Sequence, residues 1–125
     1  MIYLDTHVVA ALDRADLRLY SRDACRMMGR ASELRISPVV LMELEFLREI
    51  GRIRSATQGM IADLVSGAGL RICDRHFADV ARQAAKEAWT RDPFDRIIVA
   101  QARLAKAALI TRDGVMLKHY TKALS

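Results

Sequence analysis

Four carboxylates stand in apolar company, and any fold open to this chain has to accommodate them. Asp5 follows the run Ile2-Tyr3-Leu4, and Asp113 comes just after Leu109-Ile110-Thr111. Glu43 and Asp95 lie inside apolar helical periods. Three and four positions from Glu43 stand Val39, Val40, Phe46 and Leu47, so on a helix it projects from the apolar face. Ahead of Asp95 come Ile98, Val99 and Ala102. An isolated carboxylate in such surroundings is strongly destabilising or takes up a proton. Four are tolerable together if they converge on something positively charged, and that points to a divalent-metal site.

Other acids have ordinary explanations. Glu45 and Glu49 are four apart with Arg48 and Arg52 nearby, the pattern of a solvated ion-pair face. Asp92 precedes Pro93 and reads as a helix N-cap, with Asp95 at the third helical position. There the helix dipole also keeps a carboxylate ionised.

Short apolar runs alternate with helical periods along the chain. Ile2–Leu4, Glu33–Ile36, Leu70–Cys73 and Ala108–Thr111 read as four strands, the first short and unalternating as in a buried parallel sheet. Helices are expected over Val8–Leu12, Leu17–Arg30, Pro38–Ile50, Ala56–Ser66, Asp74–Trp89 and Pro93–Ala107, with a final turn or helix over Val115–Tyr120. Ser37-Pro38 and Asp92-Pro93 mark helix starts, and Gly51 and Gly67-Ala68-Gly69 mark stops. Strands alternating with helices imply a three-layer α/β/α sandwich around a short, mostly parallel sheet. Asp5 and Asp113 fall at or just past strand ends, where ligands bind in open parallel sheets.

The 125 residues fit one domain spanning 1–125, with no linker or repeat. Ile2-Tyr3-Leu4 runs at once into Asp5, so no secretory leader is expected, and no stretch is long enough for a membrane span. A cytoplasmic location is the expectation. Cys25 and Cys73 are too few and too far apart for a zinc motif, and both read as small buried hydrophobes. His7, His76 and His119 form no metal-site spacing, though His7 neighbours Asp5.

The chain carries 20 Lys and Arg against 15 Asp and Glu, a net charge of +5. Setting the four suspect acids aside leaves 11 negative charges, an excess that favours a polyanionic substrate or partner. Two unit charges ~4 Å apart repel by about 4 kcal/mol at an effective dielectric near 20, so such a cluster binds protons or a cation. Oxygen-only ligands suit Mg²⁺ or Mn²⁺ rather than zinc, and such ions polarise phosphoryl oxygens and activate water. Carboxylates, a hard cation and a basic surround point to phosphodiester hydrolysis.

Four segments carry a family resemblance. They are Ile2-Tyr3-Leu4-Asp5-Thr6-His7, Ile36 to Leu44, Arg91 to Ala102, and Leu109-Ile110-Thr111-Arg112-Asp113. In this order they resemble the PIN-domain ribonucleases, specifically the VapC-like toxins of toxin–antitoxin pairs. The resemblance implies a PIN-like fold and an acidic pocket holding Mg²⁺ or Mn²⁺ on Asp5, Glu43, Asp95 and Asp113. Asp92 is implied as an accessory acid, and Thr6 and Thr111 as residues that position a ligand or water. It implies RNA as substrate, often structured RNA such as tRNA, with inhibition of translation as the outcome. It also implies a small antitoxin in the active-site groove, and a homodimer. Many members carry Asn where this chain has His7, and a bulkier residue where it has Gly114.

Rival readings come from other classes. A phosphoacceptor receiver domain needs a mid-chain strand-end Asp and a late strand-end Lys. Here the third strand ends at Cys73-Asp74, and Lys106 falls within the helix expected to Ala107. A dinucleotide fold fails because Gly67-Ala68-Gly69 lacks the third glycine and follows a helix. A non-catalytic RNA-binding module fits the charge but not the four acids. No GxSxG or thiol–histidine pair offers a nucleophile. The apolar residues of Leu17–Arg30 and Ala56–Ser66 form core or a groove for a partner helix.

Overall fold

The computed structural model describes all 125 residues. Five parallel strands form one sheet: β1 (Ile2–Leu4), β2 (Leu34–Ile36), β3 (Leu70–Ile72), β4 (Ala108–Ile110) and β5 (Ala123–Leu124). Their order is β3-β2-β1-β4-β5. From β1 the chain winds outward through β2 to β3, then returns to place β4 on the other side of β1. The switch point of the winding therefore lies between β1 and β4, whose register pairs Leu4 with Ile110.

Seven helices complete the sandwich: α1 (Thr6–Asp13), α2 (Arg22–Arg30), α3 (Val39–Glu49), α4 (Thr57–Ala68), α5 (Phe77–Lys86), α6 (Pro93–Leu104) and α7 (Gly114–His119). The α/β/α architecture is as expected, and the sheet is parallel throughout. Leu4, Leu109 and Ile110 are fully buried, as strands covered on both faces require. One apolar core gathers the inner strands with Val8, Val40, Leu44, Met60, Leu64, Ile98 and Val99 from the helices. A small satellite, Val80, Ala84 and Ala100, joins α5 to α6. No helix is long and apolar enough to cross a membrane.

Three helices end in the same hydrogen-bonded turn, with a left-handed residue just past the cap. At α3 this is Gly51 (φ 80°): its N–H bonds to Arg48 O, and Arg52 N–H reaches Leu47 O. At α1 it is Ala15 (φ 52°), with Ala15 N–H to Leu12 O and Asp16 N–H to Ala11 O. At α6 it is Lys106 (φ 53°), with Lys106 N–H to Arg103 O and Ala107 N–H to Ala102 O. Lys106 thus lies in the turn after the helix, not within it.

Several expected boundaries differ. The helix expected over Leu17–Arg30 starts only at Arg22, because the Ser21 hydroxyl accepts from Ala24 N–H and caps it there. Leu17 to Tyr20 instead close a tight turn. The helix expected from Asp74 to Trp89 is shorter at both ends, and β5 was not expected at all. β3, the third expected strand, lies at an edge of the sheet with Ile72 41% exposed. Cys73 is buried, whereas Cys25 is only half-buried; neither forms a disulfide.

Candidate metal centre

The switch point supplies the first two acids. Asp5 continues β1 through its N–H to Ile110 O and then N-caps α1, accepting from Thr6 N–H through Oδ1 at 2.7 Å. Its Oδ2 accepts from the Thr111 hydroxyl at 2.6 Å, which joins the ends of β1 and β4. The Thr111 oxygen in turn accepts from Asp113 N–H at 3.0 Å, and the Asp113 Oδ1 caps α7 on Val115 and Met116 N–H, each at 2.9 Å. Thr6 and Thr111 are completely buried and Asp5 is nearly so.

Two helices bring the remaining acids. Glu43 sits mid-way along α3, and its Oε1 accepts a short hydrogen bond from the Thr6 hydroxyl. The buried neighbours of Glu43 are Val40 and Leu47; Phe46, expected on the same buried face, is 50% exposed. Glu43 therefore stands at the border of that face. Asp92 N-caps α6, its Oδ1 accepting from Phe94 N–H at 2.9 Å and Asp95 N–H at 3.3 Å. The Asp95 carboxylate, one turn in, accepts no hydrogen bond from any side chain or backbone N–H.

All five acids and His7 line one cleft of about 530 Å³. Its electrostatics follow from burial and like charge. Desolvation, then Asp92, Asp5, Asp113 and Glu43 in that order, pushes Asp95 up to about 7. Burial raises Glu43 as well, with Asp5 and Asp92 adding and the Thr6 hydroxyl opposing. Burial also raises Asp5, against the hydrogen bonds from Thr111 and Thr6 and the charge of His7. The pocket thus holds more negative charge than its donors compensate.

No three His, Cys, Asp or Glu side chains are drawn together tightly enough to enclose an ion. The donor set nonetheless fits a hard divalent cation. It is all oxygen, it comes from four chain segments, and Asp95 has no donor of its own. A cation there would offset the burial and like-charge repulsion that raise Asp95.

The two accessory threonines do meet the acids, as hydrogen-bond donors to Asp5 and Glu43. His7 is exposed at the rim, His76 precedes α5, and His119 stacks on Trp89 at 5.3 Å, away from the acids. Neither Asp74 nor Lys106 lines the cleft, so no phosphoacceptor arrangement forms. The apolar residues of α2 and α4 are spent on the core, with Ala24, Met28, Met60, Ile61 and Leu64 buried, rather than on a groove. Residues that sequence reasoning missed are Arg14, Tyr20, Arg52 and Arg112, which wall the same cleft. Arg52 directly follows the stop signal Gly51, but nothing in the sequence ties Arg14 or Tyr20 to the acids.

Comparison with known proteins gives a consistent answer. No protein with a curated description matches the sequence. Among solved structures, a chain of a toxin–antitoxin complex from Klebsiella pneumoniae is similar with a TM-score of 0.68 at 19% identity, covering 100% of this chain and 97% of that one. A chain of VapBC2 from Rickettsia felis, bound to a promoter DNA fragment, follows with 0.65 at 17%, covering 100% and 98%. A chain of FitAcB from Neisseria gonorrhoeae gives 0.56 at 16%, covering 100% and 97%. These likenesses are of fold. The PIN domain family model matches residues 2–122, and the chain belongs to the PIN domain family.

Proposed function

We propose that this PIN domain is a divalent-metal-dependent endoribonuclease, using Mg²⁺ or Mn²⁺, and the toxin of a toxin–antitoxin pair that inhibits translation. One observation carries the reading. Carboxylates from residues 5 to 113 share one cleft, and burial together with their mutual repulsion lifts Asp95 to about 7. Asp5, Glu43, Asp95 and Asp113 are the candidate metal-binding and catalytic acids, with Asp92 accessory.

A bound Mg²⁺ or Mn²⁺ supplies Lewis acidity to the scissile phosphate and lowers the pKa of water. The protein's own residues do the positioning. Thr111 and the Thr6 backbone hold the two Asp5 oxygens, and the Thr6 hydroxyl holds Glu43, so both carboxylates are fixed before substrate arrives. Asp113 and Asp92 are fixed by their own helix caps. Hydrolysis adds water across one P–O bond, leaving a phosphate on one RNA end and a hydroxyl on the other.

Structured RNA such as tRNA is the proposed substrate, in the cytoplasm, with the chain acting as a homodimer. The structural neighbours come from toxin–antitoxin complexes, which supports an antitoxin partner here. Met42, Phe46 and Ile50 form an exposed apolar stripe along the helix that carries Glu43, a face an antitoxin helix would cover.

The test is cleavage of RNA by the purified protein with Mg²⁺ or Mn²⁺, with EDTA as control. Asp5→Asn, which removes a charge and little volume, is expected to abolish cleavage while circular dichroism stays native. Cleavage by that variant at the parent rate would sink the assignment, and RNA binding without cleavage would favour a non-catalytic module.

A further inference from the structure

We propose that Arg14, Arg52, Arg54 and Arg112, with the ring of Tyr20, form a lane for a single RNA strand leading away from the acidic cleft. The inference rests on the nuclease reading and specifies how its substrate is held. The acidic cleft continues into a second one of about 270 Å³, with Ala10, Arg14, Arg52 and Ile53 as common walls. Arg112 stands at the acidic end, Arg14 and Arg52 at the junction, and Arg54 beyond it. Asp13 is the single carboxylate lining the far part.

These four guanidinium groups are exposed, and none pairs with a carboxylate or donates a side-chain hydrogen bond. Elsewhere Arg18, Arg35, Arg48 and Arg103 hold carboxylates, and the other unpaired arginines, Arg22, Arg30 and Arg75, line neither cleft. Six acids line the acidic cleft, and only Asp16 holds an arginine there, Arg18, which leaves the planar donors of these four for phosphate.

The backbone that presents them is fixed. Arg14 caps α1 just before left-handed Ala15, and Arg52 follows left-handed Gly51 at the end of α3. Ile53 packs against the core between exposed Arg52 and Arg54, which pins the pair at the surface.

Tyr20 adds a flat apolar face to the acidic cleft. Burial raises its phenol, with Arg112 and Arg14 opposing, so the ring lies among the arginines. A basic groove with an aromatic platform is the arrangement that takes single strands without reading sequence. An acidic peptide could satisfy the arginines but would meet only repulsion at the five carboxylates. A polynucleotide satisfies both ends, because its phosphates suit a cation at one and guanidiniums at the other.

The experiment measures binding of a fluorescein-labelled single-stranded RNA to the full chain by anisotropy across a salt series. It is done in EDTA with Asp95→Asn as background, so that no cleavage intervenes. Arg14→Gln/Arg52→Gln is expected to weaken binding about tenfold and to reduce the salt slope by about 1.4, at ~0.7 per phosphate contact. Tyr20→Leu is expected to weaken binding at least fivefold, roughly the loss of one stacked base, with the slope unchanged. Arg26→Gln/Arg30→Gln makes the same charge change beside Met1 and Ile2, at the opposite end of the sheet, and is expected to change neither quantity.

An unchanged slope in Arg14→Gln/Arg52→Gln, or an equal loss in the control pair, overturns the lane. So does competition by polyglutamate as effective as by unlabelled RNA, which would mark a docking site for an acidic protein segment. If the arginine changes abolish binding but the parent chain never cleaves RNA with metal, the lane stands and the nuclease reading falls. If the parent cleaves and the arginine variants bind and cleave as well as it does, the lane falls and the nuclease reading stands.

Discussion

Replacing Asp95 by Asn should make this protein more stable, and only above mildly acidic pH. The Asp95 carboxylate receives no hydrogen bond, and burial, with Asp92, Asp5, Asp113 and Glu43 adding, lifts it from 3.8 to about 7. About three units at ~1.36 kcal/mol each set a ceiling near 4 kcal/mol on the penalty of ionising it in the folded protein. The side chain is only half buried, and screening by water reduces that to roughly 2 kcal/mol. The sign follows from proton binding. An acid whose folded pKa is raised holds its proton more tightly when folded. Its ionisation penalty is absent below about pH 4, grows between about 4 and 7, and is complete above. Asn carries no charge at any of these values. Calorimetry in EDTA is expected to find Asp95→Asn and the parent nearly equal at pH 4. At pH 8 the variant should melt about 8 °C higher, at ~4 °C per kcal/mol for a domain of this size. Mn²⁺ should close the gap by stabilising the parent more. A difference at pH 8 no larger than at pH 4 would refute the claim that burial and crowding by these acids lift Asp95.

Thr111→Val removes the hydroxyl that donates to Asp5 and accepts from Asp113 N–H, both in a fully buried position. Urea unfolding should show a loss of about 2 kcal/mol, and Thr111→Ser should recover most of it. Ala15→Gly relieves a left-handed residue bearing a Cβ, and is expected to raise stability by about 0.5–1 kcal/mol in the same assay, with RNA cleavage unchanged. Arg103→Met strips the partner from Glu87, a carboxylate only 4% exposed and paired at 2.6 Å. The cost should be about 2 kcal/mol in urea unfolding at pH 7.

The legible parts of the fold share one property: a local signal strong enough to survive without neighbours. Asp92-Pro93 opens α6 with both expected cap bonds, and Gly51 ends α3, because cap chemistry is set within four residues. β1 and most of β4 are buried, so their apolar runs stood out, whereas β2 carries the part-exposed Arg35 at its centre. β5 is two residues long, and only pairing with Leu109 and Ile110 makes it a strand. The ends of α1 and α6 were missed for the opposite reason. Ala15 and Lys106 adopt a left-handed conformation that their residue types do not advertise, held by tertiary context. In the site, Asp5, Glu43, Asp95 and Asp113 were legible because charge in an apolar pattern is anomalous wherever it occurs. Arg14 and Tyr20 were not, since an exposed arginine and a half-buried tyrosine are ordinary in sequence. Their significance comes from which cleft they face.

The bond from Thr111 to Asp5 spans 106 positions, and it has a consequence for how the polypeptide is made. A nascent chain emerging from the ribosome carries Asp5 first, then Glu43, then Asp95, and each alone is a solvated side chain on an incomplete sheet. Until β4 has left the exit tunnel and inserted beside β1, the acidic cleft is incomplete. A product truncated before Thr111 lacks both that hydroxyl and Asp113, so the proposed centre assembles only when synthesis is nearly finished.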